Sequence, residues 1–349
     1  MTGIRPGYVR PLDIRNGRVD MSHGSGGRAM AQLVEQLFAP AFANEWLAQR
    51  NDQALLPRPE GRIVMSTDCH VVSPLFFPGG DIGCLSVHGT INDVAMSGAQ
   101  PLWLAAGFIL EEGFPLADLQ RIVDSMARAA RDSGVPIVTG DTKVVEAGKG
   151  DGVFITTTGV GVVPPGLQIS GDRARPGDRI IVSGSVGDHG MAVMSQRESL
   201  AFGTDLVSDT AALHGLVAAM VDAVPEVRAL RDPTRGGLAT TLNEIAAQSG
   251  VGMSIDEAAI PVRPQVEAAC EFLGLDPLYV ANEGKLVAIV PAAQAERLLE
   301  VMRGHPLGRE AALIGEVIAD AHRFVQMRTR FGGRRIVDWL AGDQLPRIC

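Results

Sequence analysis

Residues 62–97, RIVMSTDCHVVSPLFFPGGDIGCLSVHGTINDVAMS, decide the fold of this chain. The stretch 62–68 is apolar and β-branched and ends at Asp68, which predicts a strand that finishes in an acid. Phe77-Pro78-Gly79-Gly80-Asp81 then forms a turn, and a helix is expected over residues 82–97. The stretch therefore predicts a strand, a glycine-rich turn and a helix, with carboxylates where one element passes into the next.

Further strands and helices follow without the regular alternation of a doubly wound parallel sheet, which favours an α+β fold. The expected strands are 103–110, 135–138, 152–163, 179–183, 285–290 and 311–318, and the expected helices are 116–131, 210–223, 237–248 and 264–273. The strand 135–138 is expected to stop at Gly140-Asp141-Thr142-Lys143. Another helix is expected after residue 27, because apolar residues recur at helical spacing over 30–38.

The clearest boundary signal is Pro164-Pro165-Gly166, followed closely by Arg175-Pro176-Gly177-Asp178. Clusters of Pro and Gly between periodic segments mark connections. The length of 349 residues is enough for about two domains. We therefore place a domain junction near residue 170.

Composition excludes several classes of function. The net charge of -9, with no local cluster of Lys or Arg, argues against a nucleic-acid surface. The apolar runs are too short and too often broken to span a bilayer. Cys69, Cys84, Cys270 and Cys349 lack metal-ligand spacing, and no secretory signal begins the sequence. A cytoplasmic protein with reduced thiols is expected.

Four acids lie at strand or turn ends, each beside Gly, Thr or Asn: Asp68, Asp81, Asp93 and Asp141. Carboxylates in such positions suit Mg²⁺, which takes oxygen ligands and commonly bridges to nucleotide phosphates. Each acid, taken alone, is equally suited to a turn or to a helix cap. Together they predict a magnesium site whose members the spacing alone does not bring together.

Glycine-rich loops occur at His23-Gly24-Ser25-Gly26-Gly27, Pro78-Gly79-Gly80 and Thr234-Arg235-Gly236-Gly237. Glycines let backbone N–H groups approach phosphate oxygens closely, which suggests nucleotide binding. The alternative for each loop is a tight turn with no ligand. No Walker A sequence is present.

His88, Lys143 and Glu283 are candidates for proton transfer or for stabilising charge. Glu283 lies between Asn282 and Gly284 just before an expected strand, and burial there would raise its pKa towards that of a working base. The alternatives are a satisfied core histidine for His88 and a solvated acid at the entry of a strand for Glu283.

The sequence ends Gly342-Asp343-Gln344-Leu345-Pro346-Arg347-Ile348-Cys349. Pro346 favours an extended backbone, so we expect a mobile strip that spans roughly 25 Å at about 3.3 Å per residue. A thiol on such a strip could be carried into a neighbouring cleft. The alternative is an incidental unpaired thiol, whereas the prenylation motif does not fit because its cysteine stands fourth from the end.

The combination of seven strings resembles the carbamoyl dehydratases of NiFe-hydrogenase maturation, the HypE family, within the superfamily of aminoimidazole ribonucleotide synthetase and selenophosphate synthetase. The resemblance runs from residue 23 to residue 349. It rests on HGSGG at 23–27, FPGGDIG at 77–83, GTINDVAM at 89–96, GDTKVVE at 140–146, RDPTRGG at 231–237, NEG at 282–284 and PRIC at 346–349.

The resemblance implies a two-domain, synthetase-like α+β fold. Its parts would be an N-terminal ATP-binding and dimerisation domain (1–170), a C-terminal α+β domain (171–335) and a mobile tail with the reactive cysteine (336–349). It also implies roles for individual residues. Metal and phosphate would be bound by Asp68, Asp93 and Asp141 with support from Asn92, and the nucleotide would be covered by His23, Gly24, Ser25, Gly26 and Gly27. Lys143 and Glu283 would lie beside Cys349, and His88 is carried over without a specific role.

The activity implied by the resemblance is ATP-dependent dehydration, with Mg²⁺, of a carbamoyl group on Cys349 to a thiocyanate. The implied partners are the carbamoyltransferase HypF, the HypC–HypD iron-carrying complex and a second copy of the chain, with no nucleic acid and no membrane. The alternatives are a superfamily synthetase acting on a small molecule and a non-catalytic nucleotide-binding scaffold. Selenophosphate synthesis fits poorly, because no cysteine precedes Cys69.

Overall fold

The structure is a computed structural model that describes residues 11–198, 206–342 and 347–349. Its helices are Arg28–Leu33 (α1), Ala39–Ala41 (α2), Ile82–Ala95 (α3), Leu116–Ser133 (α4), Asp188–Arg197 (α5), His214–Ala223 (α6), Gly237–Ser249 (α7), Pro264–Leu273 (α8) and Ala295–Gly304 (α9). Its strands are Arg62–His70 (β1), Phe76–Phe77 (β2), Gly80–Asp81 (β3), Gln100–Glu111 (β4), Ile137–Val145 (β5), Val153–Val163 (β6), Arg179–Val182 (β7), Ala229–Arg231 (β8), Gly252–Asp256 (β9), Val287–Val290 (β10), Ala312–Ile318 (β11), Val325–Arg328 (β12) and Arg334–Ile336 (β13).

The first half of the chain forms a four-stranded sheet in the order β1-β6-β4-β5, in which only β4 and β5 run parallel. Strand β6 alternates buried and half-buried side chains along its whole length, as expected for a sheet with one covered face. Helix α3 packs on β1, β4 and β6, and α4 packs on α3. The opposite face is open and includes Ile63 and Met65, which are 64% and 71% exposed.

Helix α3 begins at Asp81, whose carboxylate accepts hydrogen bonds from the backbone nitrogens of Gly83 (2.8 Å) and Cys84 (3.1 Å). This is the geometry of a helix N-cap, which satisfies backbone donors that have no partner within the helix. The question that the sequence left open for Asp81 is thereby answered, since its carboxylate caps a helix.

The second half forms a seven-stranded sheet in the order β13-β12-β9-β11-β7-β10-β8. Its central strands β7 and β10 are buried on both faces, and their side chains divide between two apolar clusters. One cluster includes α7 and the other includes α6 and α9. This covered sheet is the rigid base for the loops that carry the functional residues.

The expected end of the strand at Gly140-Asp141-Thr142-Lys143 is wrong, because β5 continues through these residues to Val145. Asp141 pairs with Gly107 and Lys143 pairs with Ile109 of β4. A Cβ at position 140 would lie 2.5 Å from the carbonyl oxygen of Ala106, so glycine permits a close approach of the two strands.

Other expected elements are found with shifted ends. The helix expected over 210–223 begins only at His214, and the strand expected from 285 begins at Val287. Residue 170 falls in the connection between β6 and β7, and the division into 1–170, 171–335 and 336–349 stays a prediction. Within the described part of the chain, no helix is both long enough and apolar enough to cross a bilayer.

Candidate active site

Asp68 and Asp93 are brought together by β1 and α3. Side chains alternate along β1, so Asp68 and Ser66 share the face that α3 covers. The hydroxyl of Ser66 donates to Asp93 Oδ2 over 2.8 Å. Burial raises the pKa of Asp93, and the charge of Asp68 raises it further. The two acids therefore form a site that favours positive charge.

Asn92, adjacent to Asp93 on α3, holds main chain from the second half of the molecule. Its amide nitrogen donates to the carbonyl oxygens of Glu283 (3.2 Å) and Ala211 (3.0 Å), and its oxygen accepts from the nitrogen of Leu213 (2.7 Å). Asn92 thus fixes the loop that carries Glu283, and its predicted support of the metal and phosphate ligands stays a prediction.

The turn after β8 is joined to the same loop. Asn282 donates to the carbonyl oxygen of Pro233 from both its backbone nitrogen (3.1 Å) and its side-chain nitrogen (2.9 Å). Asp209 Oδ1 accepts from the backbone nitrogen of Glu283 over 3.0 Å. Glu283 is therefore fixed by its main chain, which leaves its side chain to face the acids.

Glu283 is buried, and its Oε1 has no hydrogen-bond partner among the described residues. Burial raises its pKa well above the ordinary value, and the charges of Asp232, Asp209, Asp68 and Asp93 add to this effect. A buried carboxyl group with an unsatisfied oxygen is costly to keep, which marks Glu283 as a functional group.

Cys349 lies against Glu283, because the last residues pair with the segment after β1. The backbone nitrogen of Val71 donates to a terminal carboxylate oxygen of Cys349, and that of Ser73 donates to the carbonyl oxygen of Arg347, each over 3.1 Å. Burial raises the pKa of the Cys349 thiol well above its ordinary value, and the charge of the neighbouring Glu283 raises it further. The predicted meeting of Cys349 and Glu283 is present in the structure. Of the expected mobile tail, residues 343–346 lie outside the described residues.

Asp232 and Arg235 belong to this centre but are absent from the predicted set. Burial, and then the charge of Asp93, raise the pKa of Asp232 to about 7. Arg235 Nη2 lies 3.8 Å from Asp68 Oδ1, and the charge of Arg235 lowers the pKa of the Cys349 thiol. A signal for Asp232 was present in the sequence, because it directly follows β8, in the position that was expected for Asp68. Asp68 itself lies within β1, which continues to His70.

The loop 23–27 lies over β5. A Cβ on Gly24 would come within 2.7 Å of the backbone nitrogen of Val144, so only glycine fits there. His23 is buried, and its Nδ1 accepts from the nitrogen of Asp20 over 3.0 Å, which stabilises the turn before the loop. The histidine therefore shapes the loop.

A cavity of about 470 Å³ opens beside this loop. Its wall is mainly apolar and has a polar edge, and it includes Gly26, Gly27, Phe38, Phe108, Ile137 and Asp141. Pockets of this size and character commonly accept a nucleotide or another small molecule. Asp68, Asp93 and Glu283 are not part of the wall.

The structure does not gather Asp141 with Asp68 and Asp93. Through the paired strands, Asp141 lies opposite Gly107, Gly107 opposite Thr156 and Thr156 opposite Cys69. Since neighbouring residues of a strand point to opposite faces, Asp141 shares the open face with Cys69 while Asp68 faces α3. Lys143 is also on the open face, where it is exposed and lies 3.9 Å from Asp141 Oδ2. The predicted placing of Lys143 beside Cys349 is not seen within one chain.

His88 lies away from these acids. Its Nδ1 is 3.1 Å from the hydroxyl of Thr210, and burial lowers its pKa to about 4. The charges that act on it belong to Asp132 and His214. His88 therefore has the surroundings of a neutral histidine that braces the segment around Thr210.

No three His, Cys, Asp or Glu side chains are grouped closely enough to hold a metal ion in the part of the chain that the structure describes. Mg²⁺ is commonly held by one or two carboxylates together with substrate phosphates. Asp68 and Asp93 fit that mode, since both offer oxygen ligands and the charge of Asp68 raises the pKa of Asp93.

Two family models match the chain over most of its length. AIR synthase related protein, N-terminal domain, matches residues 50–163, and AIR synthase related protein, C-terminal domain, matches residues 175–328. The fold and its acid-lined centre thus define a synthetase-like α+β protein of the AIR synthase related class.

The chain is 75% identical to the carbamoyl dehydratase HypE of Azotobacter vinelandii over 97% of this chain and 99% of that protein. A crystal structure of the hydrogenase maturation protein HypE in complex with ATP covers 94% of this chain and 99% of its own, with a TM-score of 0.91 and 52% identity. A crystal structure of a HypE–HypF complex covers 88% of this chain and 99% of its own chain, with a TM-score of 0.78 and 51% identity. The chain belongs to the HypE family of carbamoyl dehydratases, which are enzymes of hydrogenase maturation.

Proposed function

We propose that this chain uses ATP to remove water from a carbamoyl group on the Cys349 sulfur and so forms a thiocyanate, the source of the cyanide ligands of the hydrogenase iron. The contact between the Cys349 thiol and the buried carboxyl group of Glu283 carries the proposal. It places the group that would hold the substrate beside a group that could accept its protons. The names of the relatives and the ATP bound in a HypE structure support the same reaction.

The reaction balances in two steps. The carbamoyl oxygen attacks the γ-phosphorus of ATP, and ADP leaves with the electron pair of the broken bond. The nitrogen then loses two protons while the carbon–oxygen bond breaks, so phosphate departs and the carbon–nitrogen triple bond forms. Glu283 accepts one proton and the departing phosphate takes the other, which makes Glu283 the general base.

Arg235 is placed to stabilise negative charge in this reaction. It faces Asp68, and its charge acts on Asp93 and on the Cys349 thiol. A cation held in place beside developing negative charge stabilises a transition state by electrostatic attraction, and the exposed side chain of Arg235 is free to approach a bound phosphate. We assign Arg235 to the oxygen and phosphate side of the carbamoyl group, opposite Glu283.

We place the nucleotide across two copies of the chain, with its base in the cavity beside loop 23–27 of one copy and its phosphates at Asp68 and Asp93 of the other, because β5 and β1 are opposite edges of the first sheet. The cavity has room and apolar walls for the base, while the acids would hold Mg²⁺ against the phosphates. When bound, Mg²⁺ supplies positive charge during phosphoryl transfer. His23 shapes the loop, and Ser25 with its neighbouring glycines covers the phosphates.

Two copies of the chain are proposed to pair through the open face of the first sheet. Ile63 and Met65 are large, apolar and mostly exposed there, which is typical of an interaction surface. Asp141 and Lys143 lie on the same face. Asp141 lines the cavity of its own copy and would contact a nucleotide shared by the two copies, and Lys143 would reach the carbamoyl group held by the other copy.

The substrate would come from another protein and the product would leave to another. A HypF-type carbamoyltransferase would load Cys349, which the HypE–HypF complex of a relative supports. The HypC–HypD complex is proposed to receive the cyanide. All four cysteines are free thiols, which fits a reaction in the reducing cytoplasm.

The test is the mass of the intact chain after treatment with the carbamoyltransferase and its substrates. Cys349 should gain one carbamoyl group, and addition of ATP should then remove one water. Cys349→Ala should bind ATP normally and stay unmodified, and a non-hydrolysable ATP analogue should stop the wild type at the carbamoyl stage. A chain that stays unmodified with a competent partner and ATP would exclude the proposal.

A further inference from the structure

His189 is a fully buried side chain that the proposed chemistry does not use. It lies in the first turn of α5, with its Nε2 2.8 Å from the carbonyl oxygen of Ile348 and its Nδ1 2.8 Å from the hydroxyl oxygen of Ser208. A carbonyl oxygen can only accept, so Nε2 carries the hydrogen. In a neutral ring Nδ1 then accepts from Ser208, and burial keeps the ring neutral by lowering the pKa of His189.

The bond from His189 satisfies the one carbonyl group of the last three residues that does not pair with the segment 71–73. The main-chain oxygens of Arg347 and Cys349 both accept from the segment 71–73. Carbonyl groups alternate in direction along an extended chain, so that of Ile348 points away from this segment. His189 donates to this carbonyl group and thereby holds the tail on the side that faces away from the segment 71–73.

His189 is also linked, through Ser208, to Asp209, which accepts a hydrogen bond from the backbone nitrogen of Glu283. Ser208, its other partner, is followed by Asp209, whose Oδ1 accepts from the nitrogen of Glu283. Asp209 Oδ2 accepts from Lys285 Nζ over 3.0 Å, and both of these side chains are nearly buried. The segment 208–209 therefore contacts both His189, which holds the tail, and the main chain of Glu283, the proposed base.

We propose that His189 is a positioning residue of the dehydration reaction, which fixes the Ile348 carbonyl group and so sets the Cys349 sulfur in register with Glu283. This inference rests on the proposed function and adds to it a residue that touches neither substrate nor nucleotide. The neutral ring with hydrogen on Nε2 is the form that does this.

The first test compares His189→Gln with His189→Asn in the full chain. A Gln amide reaches the position of Nε2 and can still donate to Ile348, whereas an Asn amide reaches only the position of Nδ1. Alkylation by iodoacetamide, followed by mass spectrometry, reports the undocked fraction at Cys349. Loss of one hydrogen bond with a carbonyl left buried should speed alkylation of Cys349 about tenfold in the Asn variant, with the Gln variant within about twofold of wild type.

The chain carries its own references for this experiment. Cys270 is buried and should stay protected in every variant, and His322→Gln is the surface control. Equal rates at Cys349 in wild type and in both His189 variants, with Cys270 protected, would overturn the inference. Reaction of Cys270 in the Asn variant would mean that this variant is partly unfolded. In that case ¹⁵N NMR of the His189 ring in the wild-type chain tests the inference. A protected Nε2–H that is lost on deletion of residues 347–349 supports the inference, and its persistence overturns it.

The second test measures ATP-dependent loss of water from the carbamoylated chain. The Asn variant should convert about tenfold more slowly with unchanged ATP affinity, and the Gln variant should recover most of the rate. A loss of ATP affinity that matches the loss of rate would reveal a merely structural role and overturn the inference. If the wild type itself does not convert, the proposed function fails, while the alkylation rates still decide whether His189 holds the tail.

Discussion

Glu283 differs from an exposed glutamate because it is enclosed together with other acids. Burial raises its pKa well above the ordinary value, and Asp232 is the largest further cause. A carboxyl group of this kind is a strong base once it is ionised, and its ionisation becomes easier when positive charge enters the centre. Arrival of the nucleotide with its cation would thus prepare the base at the moment it is needed.

Glu283→Gln should trap the carbamoylated chain. The backbone bonds of Glu283 to Asp209 and Asn92 do not depend on the carboxylate, so the fold and ATP binding should persist. Loss of a general base typically costs about 10²–10⁴ in rate. Intact-protein mass spectrometry over time after ATP addition measures the conversion, with the exposed Glu271→Gln as control. Conversion at the wild-type rate would remove Glu283 from the role of base.

His88 should make the molecule sensitive to acid. Its pKa is about 4 in the folded chain, below the ordinary value of 6.5, so the unfolded chain binds more protons between these values. Stability is therefore complete above about pH 6.5 and falls as the pH falls towards 4, by about 3 kcal/mol. His88→Gln should flatten the dependence of the melting temperature on pH over this window, and His322→Gln should not. Parallel curves for wild type and His88→Gln would contradict this.

At the scale of elements, the first sheet separates its functional side chains by face. Asp68 faces α3, whereas Asp141 and Lys143 lie on the open side, and the separation follows from the two-residue period of a strand. The loops 231–237 and 282–284 then close the centre from the second half of the chain through the bonds of Asn282 and Asn92. The centre is thus assembled between halves, while the cavity lies at the β5 edge of the sheet.

Gly24→Ala should weaken ATP binding by displacing the loop from β5. The added Cβ would meet the backbone nitrogen and Cβ of Val144 at 2.7 and 2.9 Å, and backbone atoms do not move aside cheaply. Titration calorimetry should show the dissociation constant for ATP raised about tenfold, corresponding to about 1.4 kcal/mol. Gly304→Ala is the matched control, because nothing lies within 4 Å of its added Cβ. Equal affinities for the two variants would show that the loop is not part of the nucleotide site.

The sequence predicted the bounds of helices and strands better than it predicted the contacts between residues that are distant in sequence. Helix α8 has the expected bounds of 264–273, and β1 and β6 are found close to theirs, because local periodicity determines them. The pattern around Gly140 failed because glycine was interpreted as a stop where close strand packing required it. The approach of Asp232 to Glu283 and the seat of Cys349 depend on contacts between distant segments, which no local pattern encodes.

At the scale of the whole molecule, one covered sheet and one half-covered sheet are joined in a single chain. The seven-stranded sheet is buried on both faces in its centre, whereas the four-stranded sheet leaves Ile63 and Met65 in the open. Exposed apolar residues on a regular sheet face fit another copy of the same face in a two-fold arrangement. Both faces of the central seven-stranded sheet are therefore covered within one chain, whereas the open face of the four-stranded sheet would be covered by a second copy.

A mixture of two inactive variants should test this arrangement. If Lys143 acts on the centre of the other copy, dimers of Lys143→Ala with Glu283→Gln contain one centre with both native residues. Such mixtures should recover up to about a quarter of wild-type conversion if subunits exchange at random, since half of the dimers would be mixed and each would have one intact centre. Light scattering gives the oligomeric state, and Met65→Asp should shift it towards monomer. Mixed dimers without activity would place Lys143 in its own centre or outside the chemistry.

The tail is seated through its main chain, and this has a consequence for the order of events. The bonds from Val71, Ser73 and His189 go to main-chain oxygens, so none of them involves the sulfur or what it carries. Empty, loaded and converted forms of the tail would therefore keep these main-chain contacts, and only the contact of the sulfur with Glu283 would change. The main-chain contacts of the tail thus do not respond to the group on the Cys349 sulfur. The release of the tail must therefore be controlled by the nucleotide and by the proteins that add and remove that group.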